Sequence, residues 1–124
     1  MTTETTLTTQ QVADHLVELC REGKFGIAQD ELYAEHAESI EPEHAEGLQS
    51  VKGIDAIRKK GQQFQEMVEE THDVSITNPI VAGNYISLGL TLEATFKGRG
   101  RSKMEELAVY EVKDGKIVKE QFFY

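Results

Sequence analysis

Apolar positions repeat with a helical period near the start and middle of the chain, and they alternate over most of its second half. Thr8 followed by Gln11 predicts a capping box, the hydroxyl and the amide satisfying free N–H groups at a helix start. Val12, Leu16, Leu19 and Cys20 then fall on one face, and Gly23 ends the helix. A shorter helix follows, with Phe25, Ala28, Leu32 and Tyr33 turned inward. His36 to Glu41 reads as a short strand closed by Pro42, and Gly47 to Gly53 as a loop. Ile54, Ile57, Gly61, Phe64, Met67 and Val68 keep a helical spacing, and Asp55 in the first turn favours the helix dipole.

Beyond this point the pattern is strand throughout. His72 to Thr77 alternates, Pro79 interrupts, and Gly83-Asn84 turns. Tyr85 to Phe96 is a long strand with Ile86, Leu88, Leu90 and Leu92 on one face. Lys97 to Gly100 turns and Lys103 to Val112 returns. Asp114-Gly115 is a strong hairpin signal, and the strand after it runs into Phe122, Phe123 and Tyr124. Such a strand is poorly placed unless both its faces are covered. The expected fold is α+β: three N-terminal helices against one face of a curved antiparallel sheet, forming a cone whose mouth can admit a ligand.

Composition narrows the function. The 124 residues suit one domain, 1–124, with residues 1–7 expected as a flexible arm. A net charge of −9 disfavours nucleic acid and anionic membrane surfaces as partners. No apolar run is long enough to span a membrane, and the polar start does not resemble a secretory signal. Cys20 is the only cysteine, which excludes an internal disulfide and makes a cytoplasmic location the simplest expectation. There is no phosphate loop, dinucleotide fingerprint or nucleophile motif, so no cofactor is expected. His36, Glu38, Glu41 and His44 form a ligand-like string, but strand alternation turns Glu41 away from the first two, so no metal is expected either.

These elements resemble the SnoaL-like branch of the nuclear transport factor 2-like superfamily, the cone-shaped fold of ketosteroid isomerases and polyketide cyclases. The stretches that carry the resemblance are the helix ending at Gly23, Leu32-Tyr33-Ala-Glu-His-Ala-Glu-Ser-Ile-Glu-Pro42, Val51-Lys-Gly-Ile-Asp-Ala-Ile57 and the Asp-Gly-Lys-Ile hairpin. In ketosteroid isomerases a carboxylate just before a proline shuttles the proton, and the resemblance puts Glu41 in that place. Two acidic donors hold the developing oxyanion in those enzymes. Counting from Gly23 and from the Asp114-Gly115 turn puts Leu16 and Ala108 at their positions. The usual isomerase mechanism is therefore disfavoured.

The same register turns Glu106 and Tyr110 into the cone with Ala108, and Glu120, Phe122 and Tyr124 with them. Leu88, Leu90, Leu92 and Phe96 complete an apolar wall. The candidate catalytic residues are Glu41, Glu106 and Glu120. The candidate ligand contacts are Leu88, Leu90, Leu92, Phe96, Tyr110, Phe122 and Tyr124. Clustered carboxyls in an apolar cavity have raised pKa values and suit acid–base work on a carbon acid; structural pairing with Lys or Arg is the competing reading. Leu107, Val109, Gln121 and Phe123 form an outward strip best hidden in a homodimer. Two functions remain open. One is a cofactor-independent isomerase, cyclase or hydrolase of a small apolar molecule. The other is a non-catalytic dimeric binding or scaffold module, its cone plugged by Phe64, Met67, Phe96 and Phe122.

Overall fold

The computed structural model describes residues 6–45 and 47–124. Helix α1 spans Thr9–Arg21, α2 Phe25–Leu32 and α3 Ile54–Met67. The strands are β1 Tyr33–Ile40, β2 Val51–Lys52, β3 Val68–Ile76, β4 Ile80–Ala82, β5 Tyr85–Phe96, β6 Gly100–Lys113 and β7 Lys116–Phe123. The capping box forms as expected: Thr8 Oγ accepts from Gln11 N at 3.1 Å, and Gln11 Oε1 accepts from Thr8 N at 2.9 Å. The apolar face of α1 is buried through Val12, Leu16, Leu19 and Cys20.

The seven strands form one sheet in the order β2-β1-β7-β6-β5-β3, with β4 also paired to β5. All neighbouring strands but one pair run antiparallel, as alternation and tight turns dictate. The pairing of β1 with β7 is parallel, which corrects the expectation of a wholly antiparallel sheet. A tight turn forces antiparallel pairing only on the strands it joins. Between β1 and β7 the chain makes α3 and five strands, so β7 can return alongside β1 in the same direction. Ser39 then stands beside Glu120.

Other boundaries shift where tertiary contacts outweigh local periodicity. Tyr33, expected on a helix, opens β1, because α2 ends at Leu32; it remains buried. Val68 opens β3 instead of extending α3, and Val51–Lys52 forms a short edge strand in the expected loop. The Asp114-Gly115 hairpin is confirmed, with φ of 52° and 75°, the doubly positive geometry of a tight hairpin turn. Residues 1–5 of the expected arm lie outside the described residues. Thr6 and Leu7 pack on the hairpin: a Cβ at position 115 would fall 2.8 Å from Thr6 Cγ2 and 3.0 Å from the Leu7 nitrogen. Among the described residues, no helix is long and apolar enough to cross a membrane.

The core lies between α1, α2 and the concave sheet face, around Leu16, Leu32, Ile57, Ile86, Ala108 and Ile117. Ala108 sits opposite both Leu88 and Phe122, which fixes which side chains of β5, β6 and β7 face inward.

Candidate functional site

Helices and sheet enclose a cavity of about 500 Å³. Its walls are largely apolar, including Val74, Leu90, Leu92, Met104, Phe64 and Phe122. Leu88, Tyr110, Glu41, Glu106 and Glu120 also line it, so the expected strand register places these side chains together. Phe64 and Phe122 form wall rather than plug. Phe96 departs from expectation: it packs edge-on against Phe64, ring centres 6.0 Å apart, and is not part of the lining. Tyr124 stands outside the wall too, but its hydroxyl donates to Glu41 Oε1 at 2.7 Å.

The three carboxyls have different surroundings. Glu41 accepts from Tyr124 on one oxygen and from Lys60 Nζ on the other, at 2.7 Å. Both members of that ion pair are buried. Lys60 Nζ also donates to Ser39 Oγ at 2.5 Å, and Ser39 Oγ donates to Glu120 Oε2 at 2.6 Å. The other Glu120 oxygen accepts from the Tyr33 hydroxyl. Burial raises the Glu120 carboxyl above its ordinary value, while the bonds from Ser39 and Tyr33 and the Lys60 charge work against that rise. One polar chain therefore runs Tyr124–Glu41–Lys60–Ser39–Glu120–Tyr33.

Glu106 is outside this chain. Among the described residues, no side chain forms a hydrogen bond or ion pair with it. Burial raises its carboxyl to about 7; the charges of Glu41 and Glu120 add to the rise, and Lys60 counteracts it. Cys20, on the same wall, is pushed up to about 12 by burial and then by the charge of Glu120, so it remains an unreactive thiol.

Sequence reasoning missed Lys60, Ser39 and Tyr33. A signal for Lys60 was present: it falls three residues after Ile57 and four before Phe64, on the apolar face of α3. Leu16 and Ala108, at the positions of the isomerase donors, are both buried and neither offers a hydrogen bond.

This arrangement of three helices, curved mixed sheet and lined cone is that of the nuclear transport factor 2-like superfamily. The SnoaL-like domain family matches residues 7–124, and the chain belongs to it. A Mesorhizobium loti protein, proposed to be a SnoaL-like polyketide cyclase and also described as a carbohydrate phosphatase, is similar at 32% identity and TM-score 0.88. That match covers 95% of this chain and 100% of the other. IdmH from Streptomyces antibioticus, proposed to be a polyketide cyclase, is 17% identical with TM-score 0.70 over 94% of this chain and 91% of its own. A Xanthomonas campestris protein of unknown function with a cystatin-like fold is 14% identical with TM-score 0.72, covering 94% of this chain and 90% of its own. No curated protein matches the chain.

Proposed function

We propose that the chain binds a small, largely apolar carbonyl compound in the cone and removes a proton from the carbon beside the carbonyl, with Glu106 as the base. The observation that carries this reading is Glu106 itself, an unpaired carboxyl on an apolar wall and raised to about 7. A base titrating near neutrality is available in its charged form and can still hold the proton it takes. Glu41 and Glu120, each with both oxygens already accepting a hydrogen bond, are less suited to that role. The cavity volume falls in the range of small-molecule sites, about 300–1,000 Å³.

α-Tetralone, a flat apolar ketone, tests the base without knowledge of the natural substrate. In heavy water the chain should speed loss of the proton NMR signal beside its carbonyl. The rate should rise with pH and level off above about 7, as Glu106 ionises. Glu106→Gln should lower it by about a hundredfold or more. Equal rates in wild type and variant would end the proposal.

A second proposal concerns assembly. Leu107 and Phe123 sit side by side on the outer sheet face, 46% and 47% exposed, next to the Val109–Gln121 pair. Two copies packed through this strip would cover it. Analytical ultracentrifugation should show a dimer at micromolar concentration and a monomer for Phe123→Glu; a monomeric wild type would refute the pairing.

A further inference from the structure

Removing a proton from carbon leaves charge on the carbonyl oxygen, and that charge needs a donor. Leu16 and Ala108 supply none. The Tyr33 and Tyr124 hydroxyls already donate to Glu120 and Glu41. Tyr110, Gln29 and Gln65 also line the cavity as neutral donors, but among its described lining residues Lys60 is the only Lys, Arg or His, able to meet the oxyanion with a full opposite charge. An ammonium has three N–H bonds, and two of those on Lys60 go to Ser39 and Glu41. Its nitrogen lies 5.6 Å from the centre of the Phe122 ring, which belongs to the same wall.

We propose that the third N–H of Lys60 binds the oxyanion, which makes Lys60 a catalytic residue and Glu41 the group that holds it in place. This rests on the carbonyl reading above. In the step, the C–H bond breaks and its proton goes to a Glu106 carboxylate oxygen. The electron pair moves onto the carbonyl oxygen, which meets the Lys60 ammonium. The carboxylate before Pro42 is then an anchor for a cation and not a proton shuttle. Negative charge also faces Lys60 from Glu120 on β7 and from Glu106 on β6. The neighbouring Tyr33, Tyr110 and Tyr124 hydroxyls and the Cys20 thiol are neutral in the working range, all raised by burial. A bound anion is therefore best tolerated once Glu106 has taken up its proton.

4-Nitrophenol tests this, because its neutral and anionic forms absorb at different wavelengths. Its phenolate beside a protonated Glu106 carries the same charges as the reaction intermediate. At pH 6 the free compound is mostly neutral, whereas wild type should bind it as phenolate. Glu106→Gln should do the same, since the amide donates as the protonated acid does. Glu41→Gln keeps an oxygen to accept from Lys60 but removes the competing negative charge, and should tighten phenolate binding several-fold, a gain that a merely structural lysine would not give. The double variant Glu41→Gln, Lys60→Met removes both charges together, and its folding is checked by circular dichroism. It should weaken phenolate binding by about tenfold or more. Unchanged phenolate binding in the double variant, no gain in Glu41→Gln, or binding of the neutral form by wild type would each overturn the assignment. Lys60-dependent phenolate binding without α-tetralone exchange would uphold Lys60 and sink Glu106 as the base.

Discussion

The two walls of the cavity treat their carboxyls in opposite ways. On the side built by β1, β7 and α3, Glu41 and Glu120 are wrapped by Tyr124, Lys60, Ser39 and Tyr33, with both oxygens of each in use. On β6, Glu106 faces apolar neighbours with no hydrogen-bonding partner among the described residues. A carboxyl that is paired and hydrogen-bonded is held in its charged form, whereas one on an apolar wall without such partners has that form disfavoured. The first wall pairs its charges in a hydrogen-bonded clamp, and the second holds a carboxyl whose charged form burial disfavours.

The largest expected effect breaks the clamp. Lys60→Met alone leaves a buried Glu41 carboxylate without its cation and should cost about 3–5 kcal/mol of unfolding free energy in urea titration. Adding Glu41→Gln should restore most of that loss. A single variant as stable as wild type would mean that the pair is not buried in solution. Next comes Tyr33→Phe, which removes one donor from Glu120 and should cost about 1–3 kcal/mol. That loss should be greater at pH 8 than at pH 5, because the bond favours the charged carboxylate.

On the opposite wall the sign reverses. The folded Glu106 carboxyl is raised from 4.5 to about 7, so its stabilising contribution is fully present below 4.5 and is lost as pH climbs through about 7. Glu106→Gln escapes that loss. It should be more stable than wild type by about 1–3 kcal/mol at pH 8 and nearly equal to it below pH 5. Stability lost at both pH values would place Glu106 in the clamp and erase the contrast between the walls.

This contrast was only half legible in the sequence. Glu106 could be placed because Ala108, the Asp114-Gly115 turn and the two-residue period fix one face of β6. Lys60 could not, since a lysine on an apolar helix face ordinarily extends its charge to water. Only Glu41 and Ser39, contributed by another element, make its burial tolerable. The spacing of Tyr33 from Phe25, Ala28 and Leu32 fits a helix. Its placement at the start of β1 goes with a partner, Glu120, that lies 87 residues further on. The parallel run of β1 beside β7 likewise depends on the path of the whole chain, which no local pattern encodes.

That parallel pairing has a kinetic side. During synthesis β1 emerges early, yet the strand that pairs with it and the carboxylate that engages Tyr33 and Ser39 come more than 80 residues later. Local helices and the β5–β6 hairpin can form while the chain is still growing, but closing the cone must wait for β7. Until then the Tyr33 and Ser39 hydroxyls of β1 lack their shared partner, so a nascent chain stalled before β7 would be an open half-cone and a ready target for chaperones and proteases.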